Sequence, residues 1–323
     1  MTVKALVAGH LCLDLLPTFD GAPGLAEGAL YPVGPMAVRL GGCVATTGRT
    51  LAALGVPSEL AAAVGDDRLA ALMRSLLAEL GLPTRLVEVP GSTSYSVVLQ
   101  PPGRDRTFWH HTGANDHFDG VGLDLEGIDL LHLGYPNLLP ALLPDDGMPL
   151  RTLLMRARSG GATTSVDLAV CAPDAVGPDW ERVLANVLPL TDVLTPSLDD
   201  LNSALGWGLP PTLDSLAEAT ERLVVLGAGI VVVSGGAAGL HVRTAAPERV
   251  ADVGAALGHG IPAGVSAFVP APTVERVATT TGAGDVATAG FLAALVHGGT
   301  PAEAAEAAVQ VAVAHVEGRP VSA

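Results

Sequence analysis

The stretch Thr279-Thr280-Thr281-Gly282-Ala283-Gly284-Asp285 runs directly into a helical pattern, Val286 to Val296. Glycines on both sides of an alanine let successive backbone N–H groups turn towards one point, and the helix directs the positive end of its dipole there. A phosphate can bind at that point, where the carboxylate of Asp285 can accept a proton from an attacking hydroxyl. The same residues also suit a plain glycine turn with Asp285 as helix cap. Both interpretations stay open from this stretch alone.

A second glycine-rich stretch lies near the N-terminus, where Gly41-Gly42 precede a helical pattern and are followed by Leu54-Gly55 and Gly65-Asp66-Asp67. Taken in order, the two stretches resemble the two signatures of the ribokinase, or PfkB, family of carbohydrate kinases. Matches between them extend the resemblance over essentially the whole chain. The resemblance implies a kinase that transfers the γ-phosphoryl group of ATP to a hydroxyl of a sugar or sugar-like acceptor.

Composition agrees with one large α/β domain. The chain has 323 residues, of which 49% are hydrophobic and 3% aromatic, so it can fill a sizeable core. Its net charge of −16 repels nucleic acid and anionic membranes, and we expect neither as a partner. Cys12, Cys43 and Cys171 have neither disulfide-framework nor zinc-site spacing, which favours a cytoplasmic location. The apolar run Leu223 to Val233 is too short to span a bilayer.

Apolar strand-like runs alternate with helical patterns from end to end, which predicts βαβ units around a mostly parallel sheet. With the resemblance, the expected fold is a single ribokinase-like three-layer α/β/α domain over residues 1–323. The first strand is predicted over Ala5–Leu13. Residues 14–40 and 95–113 break the alternation and predict a small β-stranded lid, with a turn at Pro101–Asp105. Exposed loops are the alternative for both segments.

The resemblance assigns an acceptor site to residues near the N-terminus. Asp14, expected just after the first strand, would accept hydrogen bonds from acceptor hydroxyls, although a plain loop aspartate is the alternative. Gly41 and Gly42 would let the backbone approach the acceptor closely. Thr46 stands where the family usually has Asn, so the identity of the acceptor cannot be copied from ribokinase. Neighbouring Cys43 is interpreted as a buried small hydrophobic residue.

The second lid segment adds polar and aromatic candidates for the same site. Trp109 or His110 would cover a sugar face, but strand alternation lets only the Arg106/Phe108/His110 set or the Thr107/Trp109/His111 set face it. Asn115, in a Gly-Ala-Asn run that the family also carries after its lid, is a further candidate for acceptor contact. In the family the lid often supplies a dimer contact, so a homodimer through the lid is expected.

Nucleotide and metal contacts are implied further along the chain. Ser197 and Asp200 replace the Asn and Glu of a family motif concerned with Mg²⁺ and phosphate, and both keep oxygen ligands suited to hydrated Mg²⁺. A capping box at a helix start is the alternative for this pair. Ser234, Gly236 and Gly239 match the family's strand and glycine loop beside the nucleotide. ATP and Mg²⁺ are therefore the expected cofactors, with a monovalent cation left open.

The expected chemistry uses Asp285 as general base, and the backbone amides of Gly282, Ala283, Gly284 and Asp285 as anion hole. A nucleoside kinase of the same family is the nearest alternative. A ligand-binding pseudokinase is a further one, because Thr46, Ser197 and Thr279 depart from the family pattern, Thr279 standing where the signature begins with Asp. A dinucleotide-dependent oxidoreductase is less well supported, since no Gly-x-Gly-x-x-Gly follows the first strand.

Overall fold

The computed structural model describes residues 2–21, 24, 26–101, 106–171, 177–257, 260–274 and 276–321. Numbered along the chain, the strands are β1 (Ala5–Gly9), β2 (Cys12–Pro17), β3 (Met36–Gly41), β4 (Ser58–Val64), β5 (Thr84–Glu88), β6 (Tyr95–Leu99), β7 (Thr107–His111), β8 (Leu130–Gly134), β9 (Thr163–Asp167), β10 (Val193–Leu194), β11 (Ile230–Ser234), β12 (Leu240–Thr244) and β13 (Ser266–Val269). The helices are α1 (Gly42–Ala53), α2 (Arg68–Leu80), α3 (Pro144–Ser159), α4 (Trp180–Val187), α5 (Leu198–Leu205), α6 (Leu213–Val225), α7 (Pro247–Val250), α8 (Ala283–Val296) and α9 (Pro301–Val316).

A nine-stranded sheet forms the centre, in the order β13-β12-β11-β10-β9-β8-β1-β4-β5. From β11 to β5 every neighbouring pair is parallel, whereas β12 and β13 add antiparallel strands at one edge. Parallel strands end at the same edge of a sheet, so β1, β8 and β9 bring their last residues together. The predicted mostly parallel sheet is confirmed.

Helices cover both faces of this sheet, because its strands alternate between two apolar cores. In β1, Ala5 and Val7 face the core shared with α1, α2, α8 and α9. Leu6 and Ala8 face the core shared with α3, α4, α5 and α6. The three-layer α/β/α arrangement predicted from the sequence is confirmed, and it places the start of α8 above the carboxyl ends of the central strands.

A second sheet of four strands, in the order β3-β2-β6-β7, is called the lid sheet below. β2 pairs parallel with β6, whereas β2–β3 and β6–β7 are antiparallel. The predicted β-stranded lid is therefore present. Of the predicted turn Pro101–Asp105, residues 102–105 lie outside the described residues.

The predicted first strand Ala5–Leu13 was wrong in one respect, since the chain leaves the central sheet after Gly9 and enters the lid sheet at Cys12. The backbone of Leu11, between the two strands, bonds to the side chain of Asn115 instead of to a strand. Asp14 consequently lies within β2, facing Arg39 in the register, and does not follow the first strand. The sequence does mark this point, since Gly9-His10 interrupts the apolar run where β1 ends, and Gly9 has a φ of 118°.

The sequence also left out the edge strands β5 and β13, strand β12 beside β13, and helices α4 and α7. Edge strands are short and partly exposed, so their hydrophobic pattern is weak. Among the described residues, no helix is both long and apolar enough to cross a membrane.

Candidate active site

Asp285 lies in the first turn of α8, and its side chain is buried against residues from two other elements. The hydroxyl of Tyr135, which follows β8, donates to Asp285 Oδ1 at 2.8 Å. The hydroxyl of Thr47, on α1, approaches the same oxygen at 3.4 Å. A Cβ atom placed on Gly282 lies 3.8 Å from the other carboxylate oxygen, Oδ2. The carboxylate therefore turns Oδ1 towards the core and Oδ2 towards the Gly282 loop.

The electrostatics of Asp285 suit proton transfer near neutral pH. Burial raises the pKa of Asp285 to about 7, although the hydrogen bonds from Tyr135 and Thr47 favour its charged form. Asp167, at the end of β9, also has a raised pKa, because it is buried and lies near Asp200 and Asp285. A carboxylate that changes protonation near pH 7 is suited to general acid–base chemistry.

The loop before α8 has the geometry of an anion site. Gly282 caps the helix with a φ of 77°, a left-handed conformation that favours glycine, and the helix follows at once with Ala283. The first amides of a helix lack intrahelical acceptors, so those of Gly284 and Asp285 are available to a ligand. Thr279, which departs from the family signature, accepts the N–H of Thr281 on its hydroxyl at 3.2 Å.

The structure brings Asp14 and the glycine pair together, and Asp14 lies near Asp285. A Cβ atom on Gly41 would lie 2.4 Å from the Asp14 carboxylate, and one on Gly42 would lie 2.5 Å from the carbonyl oxygen of His10, so neither position tolerates a side chain. Burial raises the pKa of Asp14. Thr46, on α1, lies against the Gly282 loop, with its Cγ2 3.1 Å from a Cβ placed on Gly282.

His110 decides which side of β7 faces the site. Its Nε2 lies 3.2 Å from Nε2 of His10, and its Nδ1 lies 2.9 Å from the hydroxyl of Ser96. Successive side chains alternate along a strand, so Trp109 points to the opposite side, where it is 48% exposed. Arg106, just before β7, donates to the Thr280 hydroxyl at 2.5 Å. The Arg106/Phe108/His110 set is the inward one, and Trp109 is not on it.

Asn115 is fully buried, and both ends of its amide bond to the backbone of Leu11. The structure thus gives Asn115 a structural task, holding the passage from the central sheet to the lid sheet. Its contact with an acceptor stays a prediction.

The residues predicted to lie near the nucleotide also come together. Ser197 and Ser234 form an isolated parallel bridge, which places the start of α5 beside the end of β11. Gly236 and Gly239 lie in the loop that joins β11 to β12, and Gly239 has a φ of 102°. These residues line the carboxyl edge of the sheet, two strands away from β9, which ends at Asp167.

Asp200 forms the capping box that the sequence allowed as an alternative. The N–H and hydroxyl of Ser197 donate to Asp200 Oδ2 at 2.8 and 2.6 Å. Burial raises the pKa of Asp200 to about 6. Among the described residues, no group of three or more His, Cys, Asp or Glu side chains could hold a metal ion. Mg²⁺ needs only one or two carboxylates beside its waters and phosphates, so Oδ1 of Asp200 still fits that ion.

Three residues of this site escaped the sequence analysis: His10, Thr47 and Tyr135. His10 and Tyr135 each directly follow a central strand, the position where open parallel sheets place their ligand contacts. That rule was the available signal for both. Thr47 neighbours the predicted Thr46, but helix geometry alone does not show which of the two reaches Asp285.

Comparison with known proteins shows the family and the fold of this chain. The model of the pfkB family carbohydrate kinases matches residues 4–322. A 1-phosphofructokinase of Rhodobacter capsulatus is 27% identical over 296 residues, covering 88% of this chain and 82% of that protein. The ribokinase of Thermotoga maritima superposes with a TM-score of 0.71 at 20% identity, covering 98% of this chain and 93% of its own. Phosphofructokinase-2 of Escherichia coli gives 0.74 at 17% identity, covering 99% and 96%.

The chain belongs to the PfkB family of carbohydrate kinases. Its fold is ribokinase-like, and the expected enzyme class, a phosphotransferase with an alcohol group as acceptor, is confirmed. ATP is the co-substrate that membership of this kinase family implies. A solved Arabidopsis thaliana ribokinase complexed with ribose and ATP is similar in fold, with a TM-score of 0.72 at 19% identity over 98% of this chain and 93% of that one.

Proposed function

We propose that this protein transfers the γ-phosphoryl group of ATP to a hydroxyl of a sugar or sugar-like acceptor, with Asp285 as the general base. The observation that carries the proposal is the position of Asp285. A buried carboxylate with a pKa of about 7 lies one turn into a helix whose first amides are turned towards the Gly282 loop. A base and an anion site in one place are the requirements of phosphoryl transfer to a hydroxyl.

The residues divide the work by position. The amides of Gly282, Gly284 and Asp285 bind the oxygens of the transferring phosphoryl group and stabilise their charge, whereas the predicted Ala283 amide already donates to the Thr280 carbonyl at 3.3 Å. Asp285 accepts the hydroxyl proton of the acceptor as the new O–P bond forms and the bond to the β-phosphate breaks. Asp14 accepts hydrogen bonds from the acceptor. Because Gly41 and Gly42 carry no side chains, the backbone beside the Asp14 carboxylate leaves room for the acceptor. Thr46 borders the same space.

The nucleotide is assigned to the carboxyl edge of β11, where Ser234, Gly236 and Gly239 border Ser197. Asp200 would hold hydrated Mg²⁺, which would neutralise charge on the triphosphate. An acidic protein has few alternatives for that task, because its net charge is −16. A requirement for a monovalent cation belongs to the same proposal only as an addition to be tested.

A sugar is the acceptor class that the relatives favour, since the 1-phosphofructokinase and the ribokinases carry sugars in their names. A nucleoside kinase of Methanocaldococcus jannaschii is also similar in fold at 18% identity, so nucleosides belong in the test. A pseudokinase is less well supported, because the Thr279 hydroxyl bonds the loop that a family aspartate would otherwise serve.

We also propose that residues 1–323 form one kinase domain, with 14–40 and 95–113 as lid segments, and that two chains associate through the lid sheet. Met36 and Trp109 lie on its outer face and are 54% and 48% exposed, so this face offers apolar side chains to a second copy. Light scattering of the purified protein measures its mass. A monomer at every protein concentration would contradict the proposed dimer.

The decisive experiment has two arms. ATP consumption is measured with pentoses, hexoses, their monophosphates, sugar acids, inositols and nucleosides as acceptors. Asp285→Asn is then compared with wild type on the best acceptor, and kcat should fall by about 10² to 10⁴, the usual effect of losing a positioned base. A variant that keeps more than half of the wild-type rate would remove Asp285 from the base role.

A further inference from the structure

Tyr135 has a backbone conformation that a bulky residue rarely adopts. Directly after β8 it takes φ 63° and ψ 50°, in the left-handed region. Two backbone bonds hold it there: its N–H donates to the Asp167 carbonyl at 3.0 Å, and its own carbonyl accepts from Leu138 at 2.8 Å. Such residues persist where the surrounding structure requires them, and they concentrate at functional sites.

The consequence of this turn is the direction of the side chain. The ring lies 5.7 Å from that of His10, and the hydroxyl reaches Asp285 Oδ1 at 2.8 Å, a bond between residues 150 positions apart. Burial, with Asp285 and Asp167 nearby, raises the pKa of Tyr135 well above its ordinary value. The hydroxyl therefore keeps its proton and acts as a donor to the carboxylate.

The two oxygens of Asp285 have different surroundings. Oδ1 receives both the Tyr135 and the Thr47 hydroxyls, whereas Oδ2 has no hydrogen-bond donor within the described part of the chain. Oδ2 lies 3.8 Å from a Cβ atom placed on Gly282, on the side of the phosphoryl-binding loop. A carboxylate held at one oxygen keeps the other in a single direction.

We propose that Tyr135 is a positioning residue for phosphoryl transfer, whose hydroxyl holds Oδ1 of Asp285 so that Oδ2 takes the acceptor proton. This inference rests on the proposed function, in which Asp285 is the base. The acceptor O–H proton passes to Oδ2 while the oxygen forms its bond to phosphorus, ADP leaves with the electrons of the broken P–O bond, and the proton later goes to solvent. Tyr135 keeps its own proton throughout.

The hydrogen bond also sets the pH range of the base. A donor to the charged form lowers a carboxylate pKa, so loss of the Tyr135 hydroxyl raises that of Asp285 above about 7. Several other groups around Asp285 act on the same equilibrium. They are Arg49 on α1, which favours the charged carboxylate; Asp14 on β2 and Asp167 on β9, which oppose it; and the buried thiols Cys12 and Cys43, whose own pKa values are raised.

The test is Tyr135→Phe, which keeps the ring and removes only the hydroxyl. The protein is labelled with ¹³C at the aspartate carboxyl carbons, and Asp285→Asn identifies the Asp285 signal. We expect the titration midpoint of Asp285 to rise by about one pH unit in Tyr135→Phe. Tyr31→Phe is the matched control, because Tyr31 is a half-exposed lid tyrosine whose oxygen accepts the Ala26 N–H, and it should leave the midpoint unchanged.

Kinetics give a second readout that needs no known acceptor, namely the slow hydrolysis of MgATP by water, followed against pH. A midpoint that moves from 7 to 8 leaves the rate about fivefold lower at pH 7 and nearly normal at pH 9. A packing role alone would lower the rate equally at every pH, and that outcome, or an unmoved carboxyl titration, overturns the inference.

Failure of the proposed function has a separate signature. If Asp285→Asn hydrolyses MgATP as fast as wild type, Asp285 is not the base, whatever Tyr135→Phe does. If Asp285→Asn is inactive and the Asp285 carboxyl of Tyr135→Phe titrates as in wild type, Asp285 remains the base and Tyr135 is not its positioning residue. Thr47→Val is a further check, because it removes a second donor, at 3.4 Å from Oδ1. It should also raise the titration midpoint of Asp285, but by less than Tyr135→Phe does.

Discussion

His10 Nε2 lies 3.2 Å from His110 Nε2, so the end of a central strand and a strand of the lid sheet meet through two imidazole rings. Two protonated rings at this distance would repel each other, and one nitrogen must donate while the other accepts. Burial lowers the pKa of His10 to about 3 and also lowers that of His110. Both rings are therefore neutral at pH 7, and the contact between core and lid persists there.

His110→Ala should weaken acceptor binding about tenfold, because it removes an inward lid side chain and its hydrogen bonds to His10 and Ser96. ATP binding should stay within about twofold of wild type. Trp109→Ala is the matched control, since its side chain points to the other side of the same strand. Calorimetric titration with the acceptor from the screen and with ATP measures both. An equal loss for the two ligands, or a larger effect of Trp109→Ala, would contradict the inward assignment.

Asp285→Asn should make the folded protein more stable at neutral and alkaline pH. The folded pKa of about 7 lies above the ordinary 3.8, so the folded state holds this proton more tightly than the unfolded chain. That contribution to stability is complete below 3.8 and is lost as the pH rises to 7. The asparagine variant avoids the loss, which amounts to at most about 4 kcal/mol.

Thermal and urea unfolding of wild type and Asp285→Asn test this at two pH values. Asp285→Asn should have the higher free energy of unfolding, and its advantage over wild type should be larger at about pH 8 than at about pH 5.5. A variant that is less stable than wild type at both values would show that the carboxylate is not strained by burial.

Asp200→Ala should raise the Mg²⁺ concentration needed for half-maximal activity, because the carboxylate nearest the assigned metal position is removed. Asp199→Ala is the control, since Asp199 is the exposed neighbour on the same helix turn. The capping box is also lost in Asp200→Ala, at a cost of about 1 kcal/mol in stability. An unchanged Mg²⁺ dependence would leave Asp200 with the capping role alone.

Asp192 at the start of β10 joins three elements away from the site. Its buried carboxylate pairs with Arg158 of α3 and, at 3.0 Å, with Arg249 of α7. Asp192→Asn removes the buried negative charge between the two arginines, although Arg158 keeps its pair with the exposed Asp252, and should cost about 3 to 5 kcal/mol. Arg74→Ala, which breaks an exposed pair with Glu88, should cost less than about 1 kcal/mol. Urea unfolding of both variants measures the two losses in unfolding free energy. Equal losses would contradict the expected difference between the buried and the exposed pair.

The sequence by itself determined the parallel sheet, the layers of helices and the lid strands, because these depend on hydrophobic periodicity and on glycines within short stretches. Gly282 to Asp285 was found in the same way, since one nest and one helix start lie in seven consecutive residues. Helix α2 shows such local signals at both ends, since Asp67 caps its first turn and Gly81, with a φ of 67°, follows its last residue.

Only the tertiary structure decided which residues surround Asp285. The bond from Tyr135 spans 150 positions, and the one from Thr47 spans 238. Such pairs depend on the strand order, which brings the ends of β1, β8 and β9 together and which no local pattern records. The assembled layers also decide which side of β7 faces inward and where the chain leaves the central sheet after Gly9. They raise the pKa of Asp285 as well, because burial is a property of the assembled layers.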